Sequence, residues 1–306
     1  MSEAAFLQFS YGIWFYLCPR ARPLAQQAAP TTSHQQNKPH MKFISFGSGS
    51  SGNCYYLLED GIGLIIDAGI GIRSFKKYFR EYGFTYPTLK AILVTHDHTD
   101  HVKAVGALSG EYNLEVFATE EVHKGILNNY YTHKKVRPEL CRTYLPGDDW
   151  SIGPFHITTF TVPHDASHNC GYFIETATTN FCFITDAGSF TPEMISFIRR
   201  ARNLVIEANY DAAMLDEGPY PLHLKKRIKA PTGHACNAET ARILEENLAT
   251  TTENIWLCHL SEENNHPELA KKTVEQTLRS YGIVAGKDFE LEVLKRKSPT
   301  GVYELT

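Results

Sequence analysis

From residue 41 onward, short apolar runs alternate with amphipathic stretches, and most runs close on Gly, Pro, Asn, Asp or His. Runs this short, rich in β-branched and aromatic side chains, read as buried strands. They predict strands at 42–46, 54–59, 63–67, 91–94, 114–118, 155–162, 171–175, 181–185, 204–206, 255–258 and 289–294. Helices are predicted at 72–82, from 102 to about 109, and at 191–202, 237–247 and 267–281. Phe75, Tyr78, Phe79 and Tyr82 fall at helical spacing and read as one core-facing stripe. Residues 119–150 read as a helix followed by a loop, with Lys134, Lys135 and Arg137 forming a solvated face or, as the alternative, a nucleic-acid contact. Strands alternate with helices and no repeat period is visible, so the fold class is α/β.

Residues 1–40 break this pattern. The apolar stretch 6–18 is too short to span a bilayer and follows Glu3 rather than basic residues, which makes it a poor signal peptide. Residues 19–40 are rich in Ala, Pro, Gln and Thr, a linker composition. The expectation is an extension over 1–40, disordered or upstream of the functional start at Met41, and one catalytic domain over 41–306.

Composition narrows the functional classes. A 42% hydrophobic and 21% charged chain of 306 residues is ordinary for a globular protein. A net charge of −4 excludes a histone-like, charge-driven nucleic-acid binder, though not a local basic groove. Seven scattered cysteines without a C-x-x-C pair read as reduced thiols, which points to the cytoplasm. No apolar stretch is long enough for a spanning helix, so no membrane partner is expected. The oligomeric state is not readable.

The chemistry gathers where the strand at 91–94 ends. His96 and His98 stand at i and i+2, pointing the same way in extended backbone, and a turn brings back Asp100 and His101. Three imidazoles and a carboxylate within six residues form a ligand set for a divalent transition metal. Such a set is incomplete for two ions, so the later chain must add histidines and a bridging acid. His164, Asp186 and His259 each close an apolar run and meet that demand. The expected partition is His96, His98 and His164 on one ion and Asp100, His101 and His259 on a second. Asp186 bridges them, and a shared water or hydroxide fills the open position. His168 is the alternative to His164; His123, His133, His156 and His266 lack the strand-end setting or head a helix.

The loop 47–53, carrying Ser48, Ser50 and Asn53, either lets backbone N–H groups approach an anion or simply connects a hairpin. Lys225, Lys226, Arg227 and Lys229 form the most basic short stretch, either a phosphate-neutralising groove or a solvated helix face.

The pattern His96-x-His98-x-Asp100-His101, with later single His, Asp and His, resembles the metallo-β-lactamase superfamily over about residues 41–306. The resemblance implies a four-layer αββα sandwich holding a two-metal site, with zinc or manganese. Thr232-Gly-His234-Ala resembles the Ser-Gly-His-Ala motif of RNase J and cleavage-factor nucleases, whose histidine contacts the scissile phosphate. Glu207-Ala-Asn-Tyr210 resembles their Glu-Ser-Thr-Tyr segment. The short interval from Tyr210 to His234 implies that their cap domain is absent. Phe46-Gly-Ser-Gly-Ser-Ser-Gly-Asn53, His164-Asp-Ala166, Pro221-x-x-Leu-Lys-x-Arg-Ile228 and His259-Leu-Ser-Glu-Glu-Asn-Asn265 resemble the YycJ/WalJ group of small nucleases. That likeness implies a 5′-to-3′ exonuclease on double-stranded DNA, favoured over RNA, with a role in DNA repair. Asp100, Asp186 and His234 are then catalytic, and Ser48, Ser50, Asn53, Arg227 and His234 bind substrate. Cys236 departs from the serine common in the group. The alternative function is a small-molecule metallohydrolase acting on a thioester, lactone or phosphate ester.

Overall fold

The computed structural model describes residues 41–305; the extension expected over 1–40 lies outside the described residues. Strands β1 (Met41–Gly47), β2 (Cys54–Glu59) and β3 (Ile62–Ile66) form an antiparallel meander. From β3 the sheet continues in parallel through β4 (Leu89–Leu93), β5 (Glu115–Ala118) and β6 (Cys141–Thr143). The second sheet repeats that plan. β7 (Asp149–Ile152), β8 (Phe155–Thr161), β9 (Cys170–Glu175) and β10 (Asn180–Ile184) are antiparallel. β11 (Asn203–Glu207), β12 (Asn254–Cys258) and β13 (Glu290–Val293) extend it in parallel. A last strand, β14 (Tyr303–Leu305), returns to pair with β1.

Helices α1 (Ile72–Glu81), α2 (Thr99–Val102), α3 (Val105–Tyr112) and α4 (Glu120–Asn128) belong to the first half. The second half carries α5 (Pro192–Ile198), α6 (Ala212–Glu217), α7 (Leu222–Ile228), α8 (Asn237–Asn247) and α9 (Pro267–Ser280).

Three apolar layers hold this arrangement. Phe43, Tyr55 and Leu57 of the first sheet meet Tyr172, Phe181, Phe183 and Trp256 of the second. Ring centroids lie 4.8 Å apart for Phe43 and Trp256 and 4.7 Å for Tyr55 and Phe183. Phe75, Phe79, Val105 and Leu108 cover the outer face of the first sheet, and Met194, Phe197, Leu244, Val274 and Leu278 that of the second. Central strands are therefore buried on both faces, which is why they read as continuous apolar runs. The αββα sandwich expected from the sequence is the architecture observed.

The differences lie at the margins. Strands β6, β7 and β14 escaped prediction, and each is a short edge strand. An edge strand is covered less completely, so it needs no apolar run. The helix predicted to 202 stops at Ile198, because Arg202 N donates to Asn180 Oδ1 (2.7 Å) and turns the chain into β11. Only α6 and α7 separate Tyr210 from His234, so no cap domain intervenes. Among the described residues no helix is long and apolar enough to cross a membrane.

Candidate metal centre and substrate cleft

The carboxyl ends of β3, β4, β10, β11 and β12 open on one edge of the sandwich, and the chemistry-bearing side chains gather there. His96 follows β4, His98 caps α2, and Asp100 and His101 lie within α2. His164, Asp186 and His259 follow β8, β10 and β12. Asp67, Asp186 and His259 all adopt left-handed backbone (φ 56°, 54° and 53°) where their strands end. For a non-glycine residue that conformation costs about 1–2 kcal/mol. Here it coincides with the point where each strand turns its terminal side chain into the pocket.

Two trios result. Ligand-type atoms of His96, His98 and His164 lie within 4.8 Å of one another, and so do those of Asp100, His101 and His259. Asp186 stands between them: its Oδ2 is 3.3 Å from His101 Nε2, and its Oδ1 is 3.2 Å from His259 Nδ1 and 3.8 Å from His164 Nε2. The seven residues singled out from the sequence are thus brought to one place, where His96, His101 and Asp186 also lie within reach of one another. His168 instead lies 4.0 Å from Glu121, away from both trios.

The residues fit divalent ions on two grounds. His96 Nε2 and His259 Nε2, one in each trio, are buried without a hydrogen-bond partner. A buried imidazole nitrogen with nothing to bind is costly unless a ligand meets it. The charge balance agrees. Burial would depress His259, but the neighbouring carboxylates, Asp186 first and then Asp100 and Glu207, push it up to about 10. Likewise burial opposes ionisation of Asp186, yet His259 and His101 hold it well below the usual carboxylate range. His96, by contrast, is depressed by burial itself, so a cation would have to displace a proton from His259 but not from His96.

Two carboxylates that were not expected in the site hold its ligands. Asp67 accepts from Thr95 N and Thr95 Oγ1 (2.8 Å each) and from His101 Nδ1 (2.7 Å), so it fixes the ring and leaves Nε2 facing the pocket. Glu207 Oε1 accepts from His234 Nδ1 and His259 Nδ1, and Oε2 from Ala187 N and Ala235 N. The signal for Asp67 lay in the sequence: Asp67-Ala-Gly69 and Asp186-Ala-Gly188 are the same turn, used once per sheet. Glu207 is wholly buried at the end of β11; the sequence marked it only as the first residue of the Glu207-Ala-Asn-Tyr210 segment, without a role.

A cleft of about 190 Å³ adjoins the centre, lined by Ser50, Tyr220, Arg227, His234, His259 and Ser261 among others. Arg227, on α7, is more than half exposed and pairs with Asp165 across the cleft. Its basic neighbours divide. Lys225 Nζ donates to the carbonyls of Asp216 and Gly218, Lys229 pairs with Asp216, and Lys226 is exposed.

The loop 47–53 requires a correction. Ser48 and Asn53 are wholly buried, so they do not meet substrate directly. Ser48 Oγ accepts from His259 N (2.9 Å), and Asn53 Nδ2 lies 2.9 Å from His101 Nε2. Ser48 thus holds the His259 backbone from behind, Asn53 meets His101 and Asp100 at their pocket-facing atoms, and Ser50 alone of the three faces the cleft. Cys236 Sγ accepts from Glu239 N as the cap of α8, which is the use the chain makes of that position.

The model of the beta-lactamase superfamily domain matches residues 64–252. An exodeoxyribonuclease YycJ of Bacillus anthracis is 32% identical over 265 residues, which cover 86% of this chain and 98% of that protein. The chain belongs to the metallo-β-lactamase superfamily. Within the superfamily it falls in the YycJ/WalJ-like group: an exodeoxyribonuclease WalJ of Streptococcus pneumoniae serotype 2 is 33% identical over 82% of this chain and 93% of that protein. Among solved structures, the metallo-beta-lactamase fold protein YhfI from Bacillus subtilis superposes with a TM-score of 0.64 at 20% identity, over 87% of this chain and all of that one. That likeness concerns the fold alone. A superfamily member with this His and Asp cluster holds divalent metal ions.

Proposed function

We propose that the chain is a metal-dependent exonuclease that hydrolyses phosphodiester bonds of DNA from the 5′ end, in the cytoplasm and in the service of DNA repair. The observation that carries this reading is the pair of trios sharing Asp186, with Arg227 and His234 on the wall of the adjoining cleft. The YycJ and WalJ relatives, named as exodeoxyribonucleases, support the substrate class.

In this reading His96, His98 and His164 would hold one ion, Asp100, His101 and His259 would hold another, and Asp186 would serve both. Two zinc or manganese ions supply Lewis acidity and bring a water toward ionisation at neutral pH. Every other part belongs to the chain's own side chains. Arg227 is a bidentate-capable cation that can exchange its Asp165 partner for a phosphate. His234 is held through Nδ1 by Glu207, which leaves Nε2 to meet the phosphate or to donate a proton to the departing oxygen. Burial by itself would lower His234, but Glu207 outweighs it and favours the protonated form that such donation requires.

Incubating an end-labelled DNA duplex with the protein and Mn²⁺ or Zn²⁺ tests the proposal. Early release of labelled mononucleotide from the 5′ end is expected. No cleavage, alongside turnover of a thioester or lactone, would replace it with the small-molecule hydrolase reading.

A further inference from the structure

Helix α7 walls the metal centre on one side, and the turn after α4 stands against the segment carrying His96, His98, Asp100 and His101. Asn129 Nδ2 donates to Asp97 O (3.1 Å) and Thr99 Oγ1 (3.2 Å), both inside that segment. Its Oδ1 accepts from Tyr131 N (3.0 Å), so one side chain pins the turn to the centre. Lys135 Nζ closes the turn from behind, donating to the carbonyls of Asn129 and Ile126 (2.6 and 3.1 Å). Farther along, the backbone packs so tightly on α3 that a β-carbon at Gly106 would fall 1.9 Å from Lys134 O.

What this anchored turn presents to solvent is aromatic. Tyr130 is 82% exposed and Tyr131 60% exposed. Their rings stand at 83° with centroids 5.5 Å apart, and the His133 ring follows 6.4 Å from Tyr130. Neither tyrosine contributes to the core, and two adjacent large rings left in water carry a cost that packing does not explain. Cations stand nearby. Lys124 and Arg137 pair with Glu120 and Glu139, whereas Lys103 and Lys134 are exposed without an acidic partner in ion-pair range among the described residues. Lys103 directly follows α2.

Exposed aromatic faces beside free cations are what an unpaired nucleic-acid strand engages. Every base has a π face to stack, and the cations offset phosphate charge. We infer that Tyr130 and Tyr131 form a stacking platform for unpaired bases at the end of the DNA strand being degraded, with Lys103 and Lys134 neutralising its phosphates. This rests on the nuclease reading and adds to it that terminal base pairs open on the protein, so that one strand crosses the turn on its way to the centre.

The test uses metal-loaded protein and a duplex whose terminal linkages are hydrolysis-resistant phosphorothioates, with 2-aminopurine as an end base. Wild type and Tyr130→Phe/Tyr131→Phe should quench the 2-aminopurine and bind at least about tenfold more tightly than Tyr130→Ala/Tyr131→Ala. The difference should vanish when the terminal residues are abasic. On cleavable duplex the Ala variant should raise KM far more than it lowers kcat. If the Ala variant cleaves with wild-type KM and quenches equally, the platform is refuted while the nuclease reading stands. If wild type neither binds nor cleaves DNA, the nuclease reading itself fails. A change of oligomeric state in the Ala variant by ultracentrifugation, with DNA binding unaltered, would reassign the two rings to a contact between copies of this chain.

Discussion

Glu207 Oε1 lies 2.9 Å from His234 Nδ1, and the same oxygen is 2.9 Å from His259 Nδ1. One buried carboxylate therefore orients both a candidate metal ligand and the histidine that faces the cleft. Glu207→Gln keeps the shape but removes the charge, and its single acceptor oxygen cannot serve both the two imidazole N–H groups and the Ala187 and Ala235 N–H groups. Loss of such a supporting partner typically costs 10–100-fold in activity or metal affinity. The expected result is a kcat lower by about that factor in the duplex assay, with metal content by mass spectrometry falling in parallel. Unchanged kcat and unchanged metal would show that the bond organises nothing.

His234→Ala separates the two chemical readings. As a group that steadies the phosphate or protonates the leaving oxygen, His234 should contribute roughly 10²–10⁴-fold to kcat on DNA. His234 belongs to neither trio, though it clusters with Asp186, Glu207 and His259; with both trios intact, metal content should stay at the wild-type level. A variant with near-normal kcat on DNA would remove His234 from the mechanism and favour the ions acting alone on a smaller substrate.

The candidate metal ligands were legible before the fold because His96, His164, Asp186 and His259 each close an apolar run, and His98, Asp100 and His101 follow His96 within one turn. Extended backbone then places His96 beside His98, and the parallel strands bring the remaining ends to the same edge. What could not be read was orientation within a loop. Ser48 and Asn53 sit in a glycine-rich segment that looks like an anion cradle, yet the loop folds inward and both side chains brace histidines. The sequence names loop residues without saying which way they point. The role of Glu207, which the sequence marked only as the head of the Glu207–Tyr210 segment, was hidden for a related reason. Its partners are 27 and 52 residues away, and only the packing of β11 against β12 brings them near.

Arg227 should report phosphate binding through salt. It is the exposed cation on the cleft wall, held only by Asp165. Arg227→Ala should raise KM for DNA and reduce the slope of log affinity against log salt by about one phosphate contact. Lys225→Ala is the contrasting change, because Lys225 secures α7 through two carbonyls, so its loss should lower the melting temperature more than it alters the salt slope. Equal salt slopes for wild type and Arg227→Ala would take Arg227 out of the substrate path.

Removing the ions should unsettle the fold as well as the reaction. Asp67, Asp100, Asp186 and Glu207 crowd one pocket with two unsatisfied imidazole nitrogens, and cations bind the folded chain in preference to the unfolded one. At a thousandfold excess over Kd that preference is worth roughly 4 kcal/mol per ion. Chelation should then lower the melting temperature by on the order of 10 °C in scanning calorimetry, and Zn²⁺ or Mn²⁺ should restore it. A melting curve indifferent to chelator would count against any ion being integral to the site.

The sharpest structural prediction concerns a residue that binds nothing. A β-carbon at Gly69 would fall 1.5 Å from the carbonyl oxygen of Asp100, which already accepts from Asn53 N (2.7 Å). Neither backbone can yield without dragging Asp100 and His101 out of their trio, since His101 O also accepts from Ala68 N (2.8 Å). Gly69→Ala should therefore cost about 1–3 kcal/mol of stability, as overpacking does, and far more in activity, because ligand placement tolerates only fractions of an ångström. Gly71→Ala, two residues on, is the control: nothing lies within 4 Å of its added carbon and its φ of −64° suits any residue. If the two substitutions behave alike in melting temperature and in kcat, the close approach at Gly69 is not what holds Asp100 in the centre.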